Sequence, residues 1–227
     1  RMHLTPPGHP ERPERLEAVE HALSGPAFAA LDRRLAESTD LAIAELVHDP
    51  MVLQYLRRAR PTEGLSRIDS DTFMSPESFE AASTAVGAVL QALDAVVLGG
   101  IDNDFCAVRP PGHHAEREQS MGFCLVNTVA IAAREAQRKH GAERIAIIDF
   151  DVHHGNGTQD IFFDDETVFY GSSHQMPLYP GTGAMDEVGA GNIFNAPLPP
   201  GSGKERMREA YEARILPALD RFAPDFI

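Results

Sequence analysis

Cysteine is nearly absent. Cys106 and Cys124 are the only two among 227 residues, and no Cys-x-x-Cys pair occurs. That excludes a disulfide framework and a cysteine zinc site, and makes a reducing cytoplasm the expected setting. Positive charge is also scarce, with 20 Lys and Arg against 34 Asp and Glu and a net charge of −14. Such a balance disfavours nonspecific attraction to nucleic acid or anionic lipid; simple solubility explains it best, with cationic partners weakly favoured. Apolar runs such as Ala95 to Leu98 and Ile145 to Ile148 are far shorter than the ~20 residues that cross a bilayer, so no membrane span is expected. Residues 1–15 are polar and proline-rich, without the apolar core of a secretory signal. No internal repeat or low-complexity tract is present.

What remains is ordinary globular composition, 43% hydrophobic and 24% charged, in a length that suits one domain over residues 1–227. Apolar spacing predicts helices over Pro13 to Leu23 and Leu41 to Arg58. A third runs from a Ser75-Pro76-Glu77 start to about Leu98, with Gly99-Gly100 as its stop. Phe105 to Val108 reads as a short buried strand, Asn127 to His140 as a helix ended by Gly141, and "RIAIIDFDV" as a β-branched strand. A short helix over Thr158 to Phe163, a strand over Thr167 to Tyr170 and an amphipathic helix over Glu205 to Phe222 follow. Strand, helix, strand with short joints predicts an α/β fold with parallel βαβ units. The glycine-rich "YPGTGAMDEVGAGN" between elements reads as a functional rim.

Two stretches carry chemistry. "RPPGHHAE", residues 109 to 116, sets two imidazoles side by side on a loop made irregular by Pro110, Pro111 and Gly112. "DFDVHHGNGTQ", residues 149 to 159, puts Asp149, Asp151 and His153 at alternate positions, hence on one strand face. That face lies at the carboxyl end of a central strand, where open α/β sheets bind ligands. Carboxylate plus imidazole suits a divalent transition metal, zinc first and iron(II) second. Asp151 and His153 can share an ion only by converging in the loop, a bend that Gly155 and Gly157 permit. Taken alone, the histidine pair reads as one packed and one solvated side chain. Beside the second stretch it reads as the proton-handling part of a metal-assisted hydrolase.

Together with "GHPERPERL" (8–16), "GFCLVN" (122–127), "SSHQ" (172–175) and "YPGTG" (179–183), these stretches resemble the histone deacetylase family. The likeness is to its class II branch, bacterial deacetylase-like amidohydrolases and acetylpolyamine amidohydrolases. It implies the arginase-like three-layer αβα fold with a mainly parallel sheet, and a zinc-dependent hydrolase acting on linear amide C–N bonds. The products would be acetate and a free amine, from acetyl-lysine, acetylated polyamines or other small amides; a bacterial source fits. It implies that His113 is the electrostatic partner oriented by Asp149, and that His114 is the general base supported by Asn156. Asp151 and His153 match two of three zinc ligands.

The family's third ligand, another Asp, and its transition-state Tyr have no match here. The third Asp is expected beyond residue 227, the chain corresponding to roughly the first two-thirds of such a domain. The resemblance further implies a structural potassium site at Asp149, Asp151, His153, Ser172 and Ser173, and part of a second at Phe162, Asp165 and Val168. Gly122, Phe123 and Tyr179 would wall an acyl-lysine tunnel, and Arg15 would serve a product channel. His154 is expected to be packed or to support the ligands, and His3, His21, His48 and His140 to be surface or packing residues. A silent acyl-lysine- or metal-binding homologue is the alternative, and a ureohydrolase of the same fold a weaker one. The oligomeric state, self-association included, is open.

Overall fold

The computed structural model describes residues 2–227. After α1 (Glu14–Leu23) come a 3-10 segment at Leu41–Leu46, α2 (Pro50–Ala59), the two-residue strands β1 (Ser66–Arg67) and β2 (Phe73–Met74), and α3 (Ser78–Val97). The sheet half follows: α4 (Thr128–His140), β3 (Ile145–Asp149), α5 (Asn156–Phe162), β4 (Val168–Gln175) and β5 (Ile193–Leu198). Helices α6 (Lys204–Ala210) and α7 (Leu216–Phe222) are joined through a π turn at Tyr211–Ile215.

Strands β3, β4 and β5 lie in that order and all parallel, Asp149 opposite Ser172 and Ser172 opposite Asn195. Alternation along β3 and β4 builds two cores. Ile145, Ile147, Val168 and Tyr170 join the core shared with α2, α3 and α4. Ala146 and Phe169 face the α6–α7 side with Ile215 and Ala218. Helices therefore cover both faces of a parallel sheet, the three-layer αβα arrangement.

Local chemistry explains the well-formed ends. Asn127 caps α4 by accepting from the Ala130 N–H at 3.1 Å, and Gly141 closes it at φ 70°. The Leu41 to Arg58 stretch is not one helix. Pro50 cannot continue a helix and instead starts one, with Asp49 accepting from the Met51 N–H at 2.8 Å. Ser75 does not cap α3 either, because its hydroxyl is committed to the Met2 carbonyl and the Leu4 N–H.

Phe105 to Val108 is not a strand. Phe105 is 69% exposed, and among the described residues nothing pairs with the segment. Strand β5 has no counterpart in the sequence reading, since Asn195 and Pro197 interrupt its apolar pattern. Helix α3 is, by length and a mean hydropathy of 1.3, apolar enough to cross a membrane. A search for unbroken apolar runs misses it because its small polar residues are scattered. Its Ala82, Val86 and Leu93 are buried in the core against α4.

Candidate active site

The loop after residue 108 delivers His113 and His114 to the carboxyl end of β3, with ring centroids 4.1 Å apart. His113 Nδ1 lies 2.8 Å from Asp149 Oδ2, the last residue of β3. His114 Nδ1 lies 2.7 Å from Asn156 Oδ1, on the first residue of α5. The same Asp149 oxygen accepts from the Tyr170 hydroxyl at 3.1 Å, and that hydroxyl in turn accepts from the Gly155 N–H. Tyr170 is fully buried, so Asp149 is held from the sheet as well as from the loop.

These surroundings push the two imidazoles apart. Burial works against protonated His113, but the hydrogen bond and charge of Asp149, with Asp151 behind it, outweigh burial and raise its pKa. Burial also opposes a charge on His114, and there the neighbouring His113 adds to the effect, lowering its pKa to about 4. Desolvation raises the Asp149 carboxyl, yet His113 and the Asp151 N–H hold it below its ordinary value. The two rings are thus shifted in opposite directions, His113 towards the cation and His114 towards the neutral base.

Asp151 and His153 converge, although not through glycine flexibility. Asp149 Oδ1 accepts from the Asp151 N–H at 3.1 Å, and Asp151 Oδ1 accepts from the His153 N–H at 2.8 Å. Two successive side-chain turns thus curl the chain. Gly155 has an ordinary φ of −78°. Gly157 is needed for close approach, since a Cβ there would sit 2.2 Å from the Ala115 carbonyl oxygen.

His153 Nδ1 ends 3.1 Å from Asp151 Oδ1. Donors bound tetrahedrally to zinc at about 2.0–2.1 Å lie about 3.3 Å apart, so this pair fits two positions of such a centre. Among the described residues no group of three or more His, Cys, Asp or Glu gathers to complete it.

Tyr179 stands edge-on to His114 at 5.1 Å between centroids and is 38% exposed. Phe123, at φ 70°, packs edge-on against His9, whose Nε2 meets the Asp71 carbonyl at 3.0 Å. Gly122 lies under the His114 ring with φ +56°, and a Cβ there would come within 2.6 Å of three His114 carbons. Gly122→Ala is therefore expected to cost about 1–3 kcal/mol through overpacking and to turn His114 away from Asn156. Thermal melting checks the first effect, at about 2–4 °C per kcal/mol for a chain of this size, and kcat the second.

Ser172 and Ser173 are buried on β4 beside Asp149; their hydroxyls contact His174 Nδ1 at 2.9 Å and the Tyr211 hydroxyl at 3.3 Å. The carbonyls of Phe162, Asp165 and Val168 all lie within 3.0 Å of Asn192 Nδ2, whose two hydrogens they share. Arg15 is exposed on the first turn of α1, and its side chain makes no hydrogen bond or ion pair among the described residues.

His154 and His48 are packed, as the sequence reading allowed, but their partners and the roles of His174 and Glu187 were not read from the sequence. His154 and His174 are buried with rings 4.7 Å apart and hold the glycine-rich loop through Thr182 Oγ1 and the Gly183 carbonyl. Glu187 fastens the same loop by accepting from the Gly183 and Ala184 N–H groups. His48 is buried, accepts from the Asn127 N–H and meets the Glu116 carbonyl. Of these, His154 carried a sequence signal through its place in "DFDVHHGNGTQ".

A parallel α/β domain with this paired-histidine site is of the deacetylase and aminohydrolase kind. The crystal structure of the HDA15 HD domain superposes with a TM-score of 0.92 at 36% identity, covering 99% of this chain and 66% of that one. Acetylpolyamine aminohydrolase from Burkholderia pseudomallei superposes with a TM-score of 0.84 at 30% identity, over 95% of this chain and 72% of that one. The histone deacetylase domain model matches residues 9–227, and the chain belongs to the histone deacetylase family. The chloroplastic histone deacetylase 10 of Oryza sativa is 40% identical over 96% of this chain, which spans 54% of that protein's length.

Proposed function

We propose that the chain serves a metal-dependent hydrolase that cleaves N-acetyl amides to acetate and a free amine. The observation that carries this reading is the split histidine pair, each ring on its own oxygen partner, 2.8 and 2.7 Å away, beside the Asp151–His153 donors. His114, neutral at physiological pH, takes a proton from the attacking water and returns it to the departing amine. His113, held by Asp149, offers positive charge where the carbonyl oxygen becomes negative. A divalent metal at Asp151 and His153 supplies Lewis acidity and a more acidic bound water when present. Gly122, Phe123 and Tyr179 line the approach for an extended acylated chain.

The substrates of choice are acetyl-lysine and acetylated polyamines, whose amine products are cations that suit a chain of net charge −14. Hydrolysis of an acetyl-lysine peptide and of an acetylated polyamine, measured with and without chelator, tests the proposal. Activity should vanish with chelator and return with zinc. Chelator-insensitive hydrolysis would overturn it.

A further inference from the structure

His114 can act as a base at Nε2 only if its hydrogen sits on Nδ1, and the group facing Nδ1 is an amide. An amide is ambiguous: its oxygen accepts, its nitrogen donates, and neighbours decide which end points where. Asn156 Oδ1 faces His114 at 2.7 Å, while Asn156 Nδ2 donates to Glu116 Oε1 at 2.6 Å. Asn156 Nδ2 also lies 3.4 Å from Met121 Sδ, a weak acceptor. A carboxylate has no hydrogen to give, so Glu116 takes the NH2 end and leaves the oxygen for His114.

Glu116 is itself held firmly. Its Oε2 accepts from Gln119 Nε2 at 2.7 Å, its N–H donates to the Gln119 carbonyl at 2.9 Å, and its carbonyl meets His48 Nδ1 at 2.8 Å. Since His48 Nε2 accepts from the Asn127 N–H, His48 Nδ1 carries the hydrogen and donates to Glu116. Glu116 is half-buried and lines a cleft of about 530 Å³ that also reaches Asn156.

We propose that Glu116 is a positioning residue that fixes the orientation of the Asn156 amide, and through it the Nδ1–H tautomer of His114. This deepens the reading of His114 as the proton carrier and rests on it for its use in turnover. The tautomer can be read without any turnover, so the two ideas fail separately.

The test is long-range 1H–15N NMR of the histidine rings at neutral pH, with His114 assigned by its loss in His114→Ala. In the unaltered protein His114 should show a single Nδ1–H form; a hydrogen on Nε2 would overturn the proposal at once. Glu116→Gln keeps the shape but presents either end of an amide, so Asn156 can turn and His114 should show mixed tautomers. Its kcat should fall about tenfold with KM within about twofold, the scale of losing a group that orients a site residue.

Asn156→Asp alone sets two carboxylates face to face. In the double variant Glu116→Gln/Asn156→Asp, the introduced amide donates to the introduced carboxylate, and that carboxylate accepts from His114. The Nδ1–H form and kcat should therefore both recover. A Glu116→Gln protein with an unmixed Nδ1–H tautomer would overturn the proposal. A double variant no better than the single ones would do the same, reducing Glu116 to packing.

Discussion

Replacing His114 by alanine is expected to lower kcat for amide hydrolysis by about 10²–10⁴-fold while the chain still folds. The size follows from the role: His114 is the ring beside the Asp151–His153 donors whose Nδ1 faces Asn156 Oδ1 and whose pKa is lowered to about 4. His113 is less suited to take over: burial opposes its cation, but the hydrogen bond and charge of Asp149 outweigh burial and raise its pKa. The substitution leaves Asn156 Oδ1 without its donor, a cost of about 1–3 kcal/mol that lowers the melting temperature without preventing folding. Acetate release and a thermal melt on the same preparation separate the two effects. Retained turnover within a few-fold of the parent would remove His114 from the mechanism.

The largest stability effect is expected away from the chemistry, at Glu11. This carboxylate is 1% exposed and accepts two hydrogen bonds from Arg109, at 2.5 and 2.6 Å, with His3 Nε2 3.4 Å away. Burial raises its pKa, but the bonds to His3 and Arg109 win and lower it from an ordinary 4.5 to about 2. A carboxyl depressed by that much contributes about 3 kcal/mol to folding. Because the folded value lies below the unfolded one, the contribution is whole above about pH 4.5 and is lost as pH falls towards 2.

Glu11→Gln leaves the Arg109 guanidinium buried without its counter-charge, and should cost about 3–5 kcal/mol at pH 7. Denaturant melts across this range should show the loss at neutral pH, with the difference between the two proteins shrinking in acid. A pH-independent difference would contradict the assignment. Arg109 begins the loop that ends in His113 and His114, so the same variant should also loosen the histidine pair. The double variant Glu11→Met/Arg109→Met, which removes both charges, should recover most of the stability.

The candidate site was legible where its parts are contiguous. His113–His114 and Asp149-x-Asp-x-His lie in single stretches, and the pairing of His113 with Asp149 followed from the family resemblance rather than from two parallel strands, since only Asp149 ends one. The strand drawn for Phe105 to Val108 failed because an apolar run does not reveal whether a partner exists to pair with it. Strand β5 was hidden by Asn195 and Pro197. Asn195 is buried and donates to Gln159 Oε1 at 2.7 Å, so a polar residue there marks contact with α5 rather than solvent. His48, Tyr170, Glu116 and Glu187 act through partners distant in sequence or folded back by a loop, and no local spacing encodes such pairs. The bend at Asp151 was expected of glycine and is made by aspartate side chains, an equally local signal that the alternation argument obscured.

That the histidine pair and the Asp151–His153 donors together hydrolyse an N-acetyl amide is tested most directly by product analysis. Zinc-loaded protein is incubated with an acetyl-lysine peptide, and acetate and free lysine amine are both quantified, with Asp151→Ala alongside. Equimolar acetate and amine from the parent, with neither from Asp151→Ala, is the predicted result. Zinc and peptide both bound by the parent with no acetate formed would contradict it, and would leave a domain that grips acylated lysine without cutting it.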